Sequence, residues 1–312
     1  MASGPLSGVK IIEIAGIGPG PFAGFMLADL GADIIKIDRS QNVRGGDPST
    51  PPGDTLQRGR RSIGVDLKSP AGVELVLSLV EQADGLFEPF RPGVAERLGI
   101  GPDECLARNP RLVYGRMTGW GQDGPYAHTA GHDINYISLG GALFHYGRAG
   151  GPPTPPINMV GDFGGGGMLL AYGMVAGLLH AARTGEGQVI DAAMVDGTAS
   201  LMMMFHAFRG MGIWDENARD EWCQIMEGTD VCFAPVLRMS EAAQHPHNVH
   251  RGTFIERDGI VQPAPSPRFS KTPGEVQRSP AHAGQHSDEI LTDWLGADPD
   301  QIAKLRADGA VA

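Results

Sequence analysis

The sequence predicts a doubly wound α/β fold around a parallel sheet, and three observations carry that prediction. Through the first third of the chain, short β-branched runs alternate with helical patterns, the signature of strands joined by crossover helices. The 46 glycines and 24 prolines among 312 residues fall largely between those runs and follow no G-x-y period, so they read as turns rather than as a fibrous repeat. Apolar residues make up 41% of the chain, enough to bury a core.

The elements follow in order. Val9 to Ala15 is a strand, a Gly/Pro turn follows, Phe22 to Leu30 is helical, and Asp33 to Asp38 is the second strand. A second unit runs from a strand at Ser62 to Leu67, through a helix at Ala71 to Ala83, to a strand at Gly85 to Phe90. Leu112 to Thr118 and Val189 to Val195 are further buried strands. Arg148 to Pro156, with four prolines, can be neither helix nor central strand and is a surface loop. Helical pattern returns over Ser200 to Met211, a polar segment covers Trp214 to Glu221, and a short helix spans Ser287 to Leu295.

Composition excludes several function classes. The net charge of −11, with no long basic run, argues against nucleic-acid binding but leaves room for a ligand with a few phosphates held by local cations. Three scattered cysteines, Cys105, Cys223 and Cys232, form no C-x-x-C pair. They point to a reducing, cytoplasmic setting without a disulfide scaffold, and no metal site is expected. The N-terminus has no basic segment followed by an apolar run, so no secretory signal is visible. Phe163 to Ala182 carries no formal charge and is long enough to span a bilayer, but it opens with four glycines and contains His180. A helix buried inside a globular protein, with no membrane partner, accounts for it better.

One motif looks like a dinucleotide fingerprint. Gly16-x-Gly18-x-Gly20 follows the first strand, and Asp38 closes the second, where an acid would hold a ribose. The third glycine of the fingerprint would fall on Pro21, and Pro19 removes another N–H from the phosphate cradle. A tight strand-to-helix turn is the better account.

Two other segments carry chemistry: Ala130-Gly131-His132-Asp133-Ile134-Asn135-Tyr136, and Asn158-Met159-Val160-Gly161-Asp162-Phe163 followed by four glycines. Each sets an ionisable side chain beside glycine at a helix start, where free N–H groups stabilise an anion. Alone, such an Asp is most often an N-cap and such a His structural. With Gly119-Trp120-Gly121-Gln122-x-Gly124-Pro125, Asp191-Ala192-Ala193-Met194-Val195-Asp196-Gly197, the opening Pro5 to Glu13, the Ala32 to Asp38 strand and Arg91-Pro92-Gly93, they resemble the α-methylacyl-CoA racemases of the class III CoA-transferase (CaiB/BaiF) superfamily. The resemblance covers residues 5 to about 212 and resumes at Cys232 to Leu237.

That resemblance implies proton transfer at the carbon α to a thioester, interconverting (2R)- and (2S)-2-methylacyl-CoA through an enolate. Such chemistry needs two titratable groups about one carbon; by match to the family they are His132 and Asp162, with the backbone N–H of Asp133 on the enolate oxygen. The thioester is substrate, and no further cofactor is implied. Arg39 and Arg91 are the best-matched CoA-binding candidates, with Arg58, Arg61 and Lys68 beside them, and Met159, Met194 and Met202 are candidates for an adaptable acyl surface. The family fold is a large Rossmann-like domain with a smaller one, in an interlocked homodimer. Here residues 1–212 would form the large domain, 213–260 a reduced remnant of the small one, and 261–312 a tail returning to the large domain. Several dozen family residues are missing after Met211, among them a glutamate that pairs with the histidine; Glu216, Glu221 and Glu227 lie nearby, and none is marked as its substitute. Two alternatives stand beside the racemase: a class III CoA transferase using Asp162 as nucleophile, and a CoA-binding relative that has lost catalysis with its small domain.

Overall fold

The computed structural model describes residues 3–47, 49–148, 151–212, 243–244, 249–250, 252–265 and 274–312. The expected strands form one six-stranded sheet: β1 (Lys10–Ile14), β2 (Asp33–Arg39), β3 (Arg60–Val65), β4 (Gly85–Glu88), β5 (Val113–Thr118) and β6 (Gln188–Ala193). All pair in parallel, in the order β3-β2-β1-β4-β5-β6. The order reverses at β1 and β4, so the crevice beyond their carboxyl ends is where a doubly wound sheet binds ligands.

Successive residues of a strand face opposite sides, and in β1, β3, β4 and β5 both sides are buried, so apolar neighbours such as Ile11 and Ile12 follow one another directly. Ile12 joins Leu75, Val76 and Leu79 of α2 (Pro70–Val80) on one face. Ile11 joins Ala23 and Leu27 of α1 (Pro19–Asp29) and Leu170 and Met174 of α6 (Leu169–Thr184) on the other. Of the shorter helices, α3 (Val94–Arg97) and α4 (Pro102–Arg108) fall between β4 and β5 in the chain, and α5 (Asp133–Leu139) follows β5.

Where expectation and structure differ, the reasons are local. α1 starts at Pro19, ahead of the expected Phe22, because prolines in a first turn lose no hydrogen bond. The helical pattern expected from Ser200 begins earlier, as α7 (Met194–Leu201) and α8 (Met203–Gly210). The long apolar segment is helical from Ile157 to Thr184 and would be long enough to cross a membrane. Its α6 portion instead contributes Leu170, Ala171 and Met174 to the core on the sheet.

The end of the chain lies on the large sheet. A hairpin of β7 (Phe254–Arg257) and β8 (Ile260–Pro263) brings Gln262 to Arg58, which donates to its side-chain oxygen. The helices α9 (Ser287–Leu295) and α10 (Pro299–Ala307) follow. Ile290, Leu291 and Trp294 of α9 pack into the core beneath β3, and Val311 bridges Val65. The polar segment Trp214 to Glu221, the three glutamates near it, Cys223 and the Cys232 to Leu237 stretch lie outside the described residues, as does most of the stretch expected to form the reduced small domain.

Candidate active site

A cavity of about 660 Å³ opens at the switch point, between the turns that follow β1, β4 and β5. The Gly16 to Pro19 turn forms one wall; Gly18, at φ 66°, adopts a backbone conformation that favours glycine. This turn is the dinucleotide look-alike. The acid that would hold a ribose, Asp38, is buried and engaged, accepting a hydrogen bond from the Ser62 hydroxyl at 2.7 Å and pairing with Lys36 at 3.1 Å.

His132 and Asp162 both line this cavity. His132 is the residue before α5, and its N–H donates to the Asn135 side chain at 3.0 Å, which fixes the entry to the helix. Its imidazole is exposed. Asp162 sits in a π-helical stretch, Val160–Met168, that leads directly into α6. π-turns are rare and concentrate at functional sites.

The glycines after Asp162 allow this wide turn to nest between α1 and α7. A Cβ on Gly197 would stand 1.9 Å from the Gly165 carbonyl oxygen, so the two backbones touch. Phe163 stacks on Phe22 of α1 with ring centroids 4.8 Å apart.

The Asp162 carboxylate accepts the Asn158 amide at 2.7 Å, and the Asp162 N–H donates to Asp133 Oδ1 at 2.7 Å. Burial, aided by the neighbouring Asp133 charge, raises the Asp162 carboxyl above the ordinary aspartate range, against the pull of Asn158 and His132. Asp162 therefore keeps a proton to higher pH than a surface aspartate. The Asp133 N–H, in the first turn of α5, has no partner within the helix.

The structure divides the remaining candidates. Arg39, at the end of β2, and Arg91, after β4, both line the cavity. Arg58 and Arg61 do not. Arg58 is buried against Asp29 and Gln262, and Arg61 is ion-paired with Asp33 at 2.7 Å, Asp293 at 2.8 Å and Glu289 at 3.2 Å. Lys68 lies with Arg97 in a separate depression at the start of α2. Of the three methionines, Met194 lines the cavity, Met159 is exposed beside Asn158, and Met202 is packed against Ile137 and Ala142.

Two aromatic residues join the site beyond those candidates. Trp120 and Tyr136 line the cavity with their rings edge to face, centroids 4.9 Å apart. Burial, with Asp162 nearby, pushes the Tyr136 hydroxyl up to about 12. The signal for them lay in the glycines: a Cβ on Gly119 or Gly131 would stand 2.2 Å or 2.6 Å from the Tyr136 ring.

The model of CoA-transferase family III matches residues 6–213 and 211–287. The α-methylacyl-CoA racemase of Mus musculus is 34% identical, the alignment covering 98% of this chain and 97% of that protein. The succinate–glutarate CoA-transferase of Agrobacterium fabrum is 39% identical, over 62% of this chain and 51% of that protein. A crystal structure of a CaiB/BaiF family protein from Brucella suis superposes with a TM-score of 0.78 at 23% identity, covering 94% of this chain and all of that one, a likeness of fold. The alignment with the mouse protein is 381 positions long, 69 more than this chain has residues. The two stretches matched by the family model meet at residues 211–213, directly after α8, and that junction marks where relatives carry sequence that this chain lacks.

Proposed function

The chain belongs to CoA-transferase family III, and from that premise we propose that it is a racemase or epimerase of 2-methylacyl-CoA thioesters. The observation that carries this reading is that His132 and Asp162, held by separate elements, line one cavity. One side chain removes the α-proton, the thioester becomes an enolate, and the other returns a proton to the same carbon. The raised Asp162 carboxyl suits the proton-holding role. The Asp133 N–H would donate to the enolate oxygen, where one such donor is typically worth about 10² or more in rate. Arg39 and Arg91 would meet the phosphates of CoA, and Met194 the acyl chain.

The reading extends to a cytoplasmic homodimer. Tyr172, Val175 and Leu179 make an exposed apolar stripe on α6, beside exposed Val189 on the edge strand β6, which a second copy would cover.

A second reading is favoured by the exposed imidazole of His132. In a class III CoA transferase Asp162 would be the nucleophile, its carboxylate forming an acyl anhydride with the substrate and releasing the CoA thiolate. The sequence missing at 211–213 favours a third, a CoA-binding relative without turnover. Proton NMR of a 2-methylacyl-CoA with the protein in deuterated water, with a chiral assay of the product, separates these readings. Loss of the α-proton signal with interconversion of epimers is expected; thioester binding without exchange overturns the racemase.

A further inference from the structure

Behind the turn that carries Arg91 lies a charged cluster that proton transfer does not use. Glu88, the last residue of β4, has no exposed surface, and its Oε2 accepts the Phe90 N–H at 2.5 Å. Its Oε1 pairs with Arg116 Nε of β5 at 3.2 Å, and Arg116 Nη1 reaches Glu96 of α3 at 2.8 Å. The turn from Pro89 to Gly93 is thus tied at one end to the Glu88 carboxylate and followed at the other by the helix that Arg116 also grips. Phe90 and Arg91 of this turn face the cavity. Among the described residues, Arg116 Nη2 is buried without a partner, so the guanidinium is not fully satisfied.

We propose that Glu88 is a positioning residue for the active site: in its ionised form it holds the Pro89–Gly93 turn through the Phe90 N–H and Arg116, and so sets where Arg91 stands for the thioester. The proposal rests on the acyl-CoA reading of the cavity. A carboxylate accepts an N–H about twice as strongly as a neutral group, and only the ionised form pairs with Arg116. Protonation of Glu88 therefore loosens the turn.

The pH range in which this happens is set by what faces Glu88. Burial raises the carboxyl most, and the Glu96 charge adds to it, while the Phe90 N–H and Arg116 pull it down. Tyr114 of β5 also feels the Glu88 charge. The outcome is a carboxyl pushed up to about 7, which places the change near neutrality. The hold on the turn strengthens as pH rises through that range and is lost below it.

The test compares the full chain with Glu88→Gln, and with Arg116→Lys as a second variant that keeps the charge but loses the fork to two acids. Amide hydrogen exchange at Phe90, corrected for intrinsic rate, reads the turn without any ligand; calorimetry with acetyl-CoA reads the site. In the wild type, protection at Phe90 and affinity for acetyl-CoA are expected to rise together between pH 6 and pH 8. Glu88→Gln is expected to lose that rise, with protection and affinity about tenfold lower at pH 8 and close to wild type at pH 6. Arg116→Lys should fall between the two. Equal protection in wild type and Glu88→Gln across the range overturns the proposal, as does lost protection with unchanged affinity. A wild type that binds no acetyl-CoA, yet shows the pH-dependent protection, overturns the acyl-CoA reading and leaves the Glu88 hold on the turn standing.

Discussion

The Asp133 carboxylate accepts the backbone N–H of Asp162 at 2.7 Å, joining the start of α5 to the π-helical turn. This bond connects the two segments that carry His132 and Asp162, so it fixes the spacing of the candidate acid and base. Its neighbour Gly161 approaches closely: a Cβ there would stand 2.6 Å from Asp133 Oδ1.

Replacing Asp133 separates its two effects. Asp133→Ala leaves the Asp162 N–H without its acceptor, at a cost of about 1–3 kcal/mol in stability. Asp133→Asn keeps an acceptor but removes a negative charge that helps raise the Asp162 carboxyl. Without that charge Asp162 ionises at lower pH, so the limb of the pH–rate profile that reports its protonation moves to lower pH. Thermal melts and α-proton exchange across pH check both effects; an unmoved limb in Asp133→Asn contradicts the coupling.

His132→Ala discriminates between the chemistries. A positioned acid or base contributes typically about 10²–10⁴ in rate, so α-proton exchange is expected to fall by at least about 10². Transfer of CoA to a second acid, if Asp162 is a nucleophile, needs no base at His132 and is expected to survive. Measuring exchange and transfer side by side on the same preparation decides which reaction uses the site.

The contact between Gly165 and Gly197 is one of backbone on backbone, so neither side can yield by a rotamer change. Gly197→Ala is expected to destabilise by at least about 1–3 kcal/mol, the usual range for forcing an extra group into a packed interior. Displacement of the π-turn should lower α-proton exchange along with the melting temperature. A melt within experimental error of wild type counts against the close approach.

Much of this architecture was legible in the residues. Parallel strands buried on both faces leave uninterrupted runs such as Ile11-Ile12 and Ile34-Ile35, and turns between them need glycine or proline. His132 and Asp162 were legible because each stands in a motif whose neighbouring glycines have steric reasons to be there. The cation assignments were less so, because an arginine's pattern in sequence does not reveal a carboxylate distant in the chain. Arg58 meets Asp29 and Gln262, while Arg61 meets Glu289 and Asp293, partners 228 and 232 positions away. Glu88 was invisible for the same reason: only the register of β4 with β5 sets it against Arg116.

The arginines give a last pair of contrasting expectations. Arg91→Gln and Arg39→Gln remove cations that line the cavity and pair with no described carboxylate. They should raise KM for the thioester several-fold, since a contact made equally in ground state and transition state affects binding alone, with kcat and melting temperature little changed. Arg58→Met acts through the core instead. Asp29 is 1% exposed, and its carboxyl, raised chiefly by burial, would lose the guanidinium that offsets that burial. Breaking such a pair from one side costs about 3–5 kcal/mol. Asp29 then takes up a proton more readily in the folded state than in the unfolded chain, so the deficit should be largest above the ordinary aspartate range and shrink as pH falls towards it. Denaturant melts at pH 8 and at pH 5 measure that difference; a stable Arg58→Met variant with a raised KM would place Arg58 at the ligand after all.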